Sequence, residues 1–516
     1  MSWQSEIEEI LRRRKFAQDL GGAEAVSRQH KFGKKTVRER IDALCDPGSF
    51  REIGVLTGAA KYDEDGKLKS VTPANSVIGK GRVSGQRIVI SADDFTIRGG
   101  SSEAAVSEKW IYAERLALDL QVPLVRLVET AGGSVRLLEK QGATKLPGYS
   151  DWPFASMLGQ IPVIGVALGA CAGLGAVKVA SSHLSVMVKE TSQVFTAGPP
   201  VVEAGLKETI TKEELGGYQV HAHGSGIVDN EADDEDDALE QVKTFLSYLP
   251  SNVHRPPVPQ PCDDDPERRE EALLSVIPRE RRQVYKARKI LEMVLDRDSI
   301  FELARHNGPS LITSLARLNG YPVGVLANDP YHYGGAMTVE SSIKMENFVD
   351  FCDTFHIPLV SFFDQAGVMI GLEAEKAGTI RFAMRALAAI EQSSTQWCSI
   401  IVRRAFGVAG SAYGRLSGIN MRYAWPSAVW GSLPIEGGVA AAFRREIAEH
   451  PDPKAKIKEL ENEYNKFSSP FKTAERFGVN DIIDPRDTRS VLCDWIGDVY
   501  QQIPGSLGPR QRTMRR

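Results

Sequence analysis

The chain repeats itself. ADDFTIRGG (92–100) is matched by ANDPYHYGG (327–335), an offset of 235 residues, and the same offset relates Lys109 to Lys344, VPLV at 122 to IPLV at 357, and Ala131-Gly132 to Ala366-Gly367. IPVIGVALGACAG (161–173) aligns without a gap on CSIIVRRAFGVAG (398–410) at an offset of 237, a drift that loop insertion produces. Collinear matches of this kind mean an internal duplication, so both halves must satisfy one fold. Each half has the same succession: a β-rich run (QRIVISA, YPVGVLA), a Gly-Gly turn, a long amphipathic helix pattern (103–120, 341–355), a buried strand, and a second glycine turn. Short apolar strands alternating with helices imply βαβ units and mostly parallel sheets, an α/β fold.

At 516 residues the chain is too long for one core. The acidic run 229–240 and the proline-rich stretch 250–270 interrupt the apolar pattern as a connector would, which divides the chain into domains 1–255 and 256–516. The basic PGSLGPRQRTMRR (504–516) reads as a loosely held tail, with contact to a partner's acids as the alternative. GKGRVSG (79–85) approaches a dinucleotide fingerprint, but its glycines precede a strand instead of opening a helix, so the phosphate-binding mechanics are missing. A net charge of −4 argues against nucleic acid or anionic lipid as partner. No apolar run approaches the length of a membrane span, and the N-terminus lacks the form of a secretory signal, so a cytoplasmic location is expected. Six scattered cysteines without a CxxC pair read as reduced, buried thiols. His221 and His223 lack a nearby carboxylate cluster in sequence and are expected in loop or packing roles, so no metal site is expected.

The stretch 161–180 offers a reaction mainly its backbone. Where a strand ends in glycine and a helix begins, the first N–H groups lack internal partners and carry the positive end of the helix dipole. GACAGLGAV and AFGVAGSAY both have this form, and small residues there let a carbonyl oxygen approach the main chain. An oxygen that becomes an enolate during reaction gains most from such donors. Glycines that merely permit close helix-to-strand packing are the alternative; the motif's presence in both halves favours paired oxyanion sites.

GKKTVRERIDALCDPGSFREI (33–53), DDFTIRGGS (93–101), ETAGGSVRLLE (129–139), GACAGLGAV (169–177), VMVKETSQVFTAGPPVVE (186–203), ELGGYQVH (214–221), YAWPSA (423–428) and TAERFGVNDIIDP (473–485) resemble, in this order and over nearly the whole chain, the carboxyltransferase (β) subunits of biotin-dependent acyl-CoA carboxylases, the propionyl-CoA and methylcrotonyl-CoA carboxylase group. The resemblance implies two tandem crotonase-like domains, with the active site between the N-domain of one subunit and the C-domain of another. It implies that backbone N–H groups at Gly173 and Leu174 hold the thioester enolate, with Gly132, Gly133, Arg136, Ala172 and Gly175 around the acyl-CoA. On the second domain it implies Val408 and Ala409 at the ureido oxygen of carboxybiotin, with Gly367, Gly407, Gly410 and Ser411 around the cofactor. Biotin itself then takes the α-proton, so the protein supplies position and oxyanion stabilisation rather than a side-chain base. No AMKM biotinylation site or ATP-gripping segment is present, and Lys344 in SIKME reads as structural. Biotin must therefore arrive on a separate biotin carboxylase and biotin carboxyl carrier (α) subunit, and the expected assembly is a homo-oligomer, a hexamer of trimeric rings.

The chain departs from the family pattern at several points. Leu174 stands where relatives carry glycine, GGSVR (132–136) has one residue more than GGAR, and Ser411 falls near a pocket aspartate of propionyl-type enzymes. GVAGSAYG is neither GGAYD nor GAGNYG, while AGVMIGLEAEKAG (366–378) resembles the methylcrotonyl type, which implies a branched or longer acyl-CoA over acetyl-CoA. A biotin-dependent acyl-CoA decarboxylase subunit and a non-catalytic acyl-CoA-binding scaffold are the alternative functions.

Overall fold

The computed structural model describes residues 2–144, 146, 148, 151–414 and 418–514. They form two compact units that divide between Arg255 and Pro256. The strands of the first are β1 (Arg51–Ile53), β2 (Gly58–Tyr62), β3 (Leu68–Pro73), β4 (Ser76–Val83), β5 (Gln86–Asp93), β6 (Leu124–Thr130), β7 (Val163–Ala172), β8 (Leu184–Val188), β9 (Gln193–Phe195) and β10 (Asn230–Ala232). Those of the second are β11 (Phe301–Leu303), β12 (Leu311–Leu318), β13 (Tyr321–Asn328), β14 (Leu359–Gln365), β15 (Trp397–Phe406), β16 (Met421–Ala424), β17 (Val429–Gly431) and β18 (Asp481–Ile482).

Each unit is built on an eight-stranded sheet of one design: β1-β4-β5-β6-β7-β8-β10 with β9 beside β7, and β11-β12-β13-β14-β15-β16-β18 with β17 beside β15. The first two pairings of each are antiparallel and the rest parallel. β2 and β3 form a separate hairpin. β6, β7, β14 and β15 are buried almost throughout, as strands covered on both faces must be, which explains their unbroken apolar runs. GKGRVSG lies in the β4–β5 hairpin.

Four sequence expectations change. Leu124 pairs with Val163 and Leu359 with Trp397, so β7 and β15 are related by 234 residues and not 237. Gly173 therefore corresponds to Gly407, Leu174 to Val408 and Gly175 to Ala409. The acidic run is no connector: it supplies β10 and the start of the helix Glu235–Tyr248, and Glu235 is buried against Arg40 at 2.6 Å. The helix Val339–Thr354 is buried over most of its length instead of along one face. That burial explains the fourth change, because the basic tail docks on the helix's acids instead of hanging loose. Arg512 meets Asp350 at 2.9 Å and Glu346 at 3.0 Å, and Arg510 lies 3.6 Å from Asp353. All six cysteines are unpaired, and all but Cys262 are buried.

Candidate functional site

In the first unit β7 runs into Gly173 (φ 58°, ψ −112°), and the helix Leu174–Ala180 follows. The φ value and the open space at Gly173, where a Cβ would meet only Thr196 O at 3.8 Å, mark a backbone position that glycine alone takes easily. The Gly173 amide is not available to a ligand, because it donates to Phe195 O at 3.1 Å and extends the β7–β9 pairing. The amides of Leu174 and Gly175 have no acceptor among the described residues. Gly175 has a packing role as well: a Cβ there would lie 2.4 Å from Thr130 Cγ2.

The turn after β6 comes close to this one. A Cβ on Gly132 (φ 81°) would lie 3.1 Å from Ala172 O. The Gly132 amide donates to Thr130 Oγ1 at 3.0 Å and its carbonyl accepts from Ser102, which leaves the Gly133 amide without an acceptor among the described residues. Gly132, Gly133, Leu174 and Gly175 line one cavity of about 300 Å³. Ala172 stays in the sheet beneath it, and Arg136 is exposed and does not line it. Lys178 does line it, so the glycine-rich stretch brings a charged side chain that a backbone-only reading omits.

The second unit repeats these features. Gly407 (φ 62°) ends β15, a Cβ there would meet only Ser432 O at 3.7 Å, and the single helical turn Gly407–Gly410 follows. Val408 is 58% exposed, whereas Ala409 is buried. Gly367 copies Gly132: its amide donates to the side chain two residues earlier, Gln365 Oε1, at 3.0 Å, and its carbonyl accepts from Met337. Gly410 is a packing glycine, since a Cβ there would lie 2.6 Å from Ala405 C, and the exposed Ser411 hydroxyl donates to Val408 O at 2.7 Å. Tyr413 stacks on Phe363 at 4.5 Å, and burial pushes its hydroxyl up to about 12, so it stays protonated between Asn328 and Gln365.

A buried carboxylate anchors each turn after β6 and β14, and sequence reading did not single out either. Glu129 receives Arg40 at 2.7 Å, Gln29 at 2.7 Å and Lys34, and Gly169 is glycine because a Cβ there would lie 2.3 Å from the Glu129 side chain. Asp364 receives Arg403 at 2.8 Å and Arg404 at 2.5 Å, and accepts from Tyr285, whose hydroxyl burial and the Asp364 charge push well up. His221, in the helical turn Gln219–Ser225, bonds Val194 O of β9 at 2.6 Å, a packing role. His223 does face a carboxylate, Glu231, contrary to the sequence expectation, and Lys189 shares that carboxylate at 3.3 Å.

The family model for the carboxyl transferase domain matches residues 28–497. The carboxyltransferase subunit of propionyl-CoA carboxylase from Haloferax mediterranei is 33% identical over 498 residues, covering 95% of each chain. The α subunit of methylmalonyl-CoA decarboxylase from Veillonella parvula is 31% identical over 477 residues, covering 92% of this chain and 91% of that one. Among solved structures, transcarboxylase 12S, described as a hexamer assembly and determined with methylmalonyl-coenzyme A and methylmalonic acid bound, superposes with a TM-score of 0.87 at 28% identity over 100% of this chain and 98% of that one.

Proposed function

Since the chain belongs to the carboxyl transferase domain family, we propose that its two glycine turns are the two oxyanion-stabilising elements of one carboxyl-transfer reaction. The chain is an enzyme, a carboxyltransferase β subunit of the biotin-dependent acyl-CoA carboxylase group. The observation that carries the site assignment is the repeated turn: Gly173 at φ 58° before Leu174, and Gly407 at φ 62° before Val408. On the acyl side the amides of Leu174 and Gly133, with Gly175 beside them, hold the thioester oxygen as it gains charge on loss of the α-proton. Fixed donors in a dry cavity stabilise that charge without reorganising. Gly132 keeps the two turns close enough to act on one oxygen.

On the other side the amides of Val408 and Ala409 fit a ureido oxygen, because Gly407 carries no side chain to block its approach and Ser411 is tied back to Val408 O. When bound, biotin supplies the carboxyl group and the base. Gly367 and Gln365 shape the neighbouring turn. The cavity of about 830 Å³ lined by Arg28, Lys34, Lys212 and the turn at Ile97–Gly99 fits the anionic nucleotide end of coenzyme A; loss of charge at Arg28 or Lys212 is expected to raise KM with kcat little changed.

The assembly follows the 12S likeness: a homohexamer that receives biotin from a separate biotin carboxylase and carrier subunit, with light scattering as the check. Free thiols and CoA thioesters both suit a reducing compartment, so a cytoplasmic location is proposed and fractionation tests it. The central experiment needs no partner: the purified chain, given carboxyl-labelled methylmalonyl-CoA and free biocytin, should form labelled carboxybiocytin. If the thioester binds and no label reaches biocytin above a control without the chain, the assignment fails. The decarboxylase direction has the Veillonella relative in its favour, and the proteins that co-purify with the native chain distinguish it: an integral membrane protein there, a biotin carboxylase here.

A further inference from the structure

The backbone donors do not use one group of side chains in the acyl-side cavity. Asp93, at the end of β5, Ser76, at the start of β4, and Lys178, in the second turn of the helix after Gly173, all line the 300 Å³ space together with Leu174, Gly175 and Trp110. Lys178 Nζ lies 3.7 Å from Asp93 Oδ1, too far for a hydrogen bond, and 4.4 Å from the centre of the Trp110 ring. Asp93 Oδ2 and Ser76 Oγ are buried without a hydrogen-bond partner among the described residues. Ser76 is 4% exposed and the Lys178 side chain 7%. Burial pushes the Asp93 carboxyl up and the Lys178 charge opposes it.

Buried polar atoms without partners cost about 1–3 kcal/mol each, and two of them lie in the wall of one small cavity beside an ammonium whose ion-pair partner among the described residues is 3.7 Å away. The Asp93 side chain keeps 13% of its surface exposed and lines the cavity beside Lys178, and an alkyl chain that covers this pair offers it no hydrogen bond. A carboxylate would meet Lys178 and at the same time the Asp93 charge. A hydroxyl meets both: it donates to the Asp93 carboxylate and accepts from Lys178. Lys178 follows Leu174 by four residues, about 6 Å along a helix, which is the reach of a substituent on C3 or C4 of an acyl chain held by its thioester oxygen at Leu174.

We propose that Asp93 and Lys178 make this pocket selective for acyl-CoA thioesters that carry a hydroxyl on C3 or C4 of the acyl chain. The inference rests on the acyl-CoA reading of the same cavity, and it differs from the branched apolar chain that AGVMIGLEAEKAG implies. Discrimination of this kind can be large, because a site built to hydrogen-bond a substrate group rejects the analogue that lacks it.

The test is calorimetric binding of four thioesters to the full chain: butanoyl-CoA, 3-hydroxybutanoyl-CoA, 4-hydroxybutanoyl-CoA and succinyl-CoA. One of the hydroxy thioesters should bind at least about 10-fold more tightly than butanoyl-CoA, and in Asp93→Ala and Lys178→Met that preference should fall below about threefold. Equal or weaker binding of both hydroxy thioesters overturns the inference, and so does tightest binding by succinyl-CoA. A preference that survives in both variants removes the role of these residues. If none of the four binds, the acyl-CoA reading fails with it, whereas binding without discrimination leaves that reading intact. The wild-type series decides the question even if a variant misfolds.

Discussion

In the first unit the strand β7 hands over through Gly173 to a helix of seven residues, and the turn lines a cavity of about 300 Å³ with charged and hydroxyl side chains in its wall. In the second, β15 hands over through Gly407 to four residues of helix, and the residue after the glycine, Val408, is 58% exposed. The glycine φ is nearly the same in both, 58° and 62°, while its surroundings are not. A recessed turn suits a thioester that threads into a pocket, and an outward one suits a group delivered on another polypeptide. The supports differ too. Glu129 is held by residues far away in sequence, Gln29, Lys34 and Arg40, whereas Asp364 is held by Arg403 and Arg404 from the adjacent strand. Duplication preserved the carboxylate before the turn and replaced its counter-ions.

The largest effect should come from that replacement. Removing one partner of a buried ion pair costs about 3–5 kcal/mol, and Asp364→Ala should reach that range in urea unfolding because Arg403 and Arg404 have no other carboxylate among the described residues. Glu129→Ala should cost less, since Arg40 keeps Glu235; the reverse order would break the account of the two anchors. Next comes catalysis. Leu174→Pro and Val408→Pro each delete one amide at the start of a helix, where proline is structurally tolerated, and each should lower carboxyl transfer by about 10²–10³-fold. A folded variant with unchanged turnover would release that side from the paired-oxyanion account.

Gly173→Ala and Gly407→Ala should each cost about 1–3 kcal/mol of stability through backbone strain, since nothing but a carbonyl near 3.8 Å or 3.7 Å crowds the new methyl group. A near-zero cost at Gly407 would undo the 234-residue correspondence. The smallest effect is a slope with pH. Lys109 and Lys344 share one place in the repeat, yet Lys344 donates to the carbonyls of Ala304, Asn307 and Leu311, while Lys109 is pushed down to about 8 by burial, with Arg38 adding to that and Glu52 opposing it. Between about pH 8 and 10.5 the native state binds fewer protons at Lys109 than the unfolded chain, so stability there rises with pH. Lys109→Met should flatten that rise in thermal unfolding, and Lys344→Met should destabilise at neutral pH.

The duplication, the parallel sheets and both glycine turns were legible because they rest on local pattern and short spacing. The register of the second turn was not: Ala-Gly ends both VALGACAG and RAFGVAG, and only the strand pairing shows that Gly410 packs on Ala405 while Gly407 makes the turn. The acidic run misled for a related reason. Glu235 looks solvated beside its neighbours and becomes a core residue only through Arg40, which lies 195 positions earlier. Asp93 and Lys178 likewise meet across the sheet and the helix laid on it, a contact no spacing rule announces. The tail arginines read as free charge because their acids sit on a helix whose burial the sequence understates.

The long-range pairs also set an order of events. Arg40 closes the first unit on Glu235, and Arg489 closes the second on Asp296 at 2.8 Å and on the carbonyl of Val294. Each unit therefore lacks a buried ion pair until a residue near its C-terminal side has been made. At about 5–20 residues per second, the second closure becomes possible on the order of 10–50 s after the first. During synthesis the first unit can close its ion pair while the β-strands of the second still wait for Arg489.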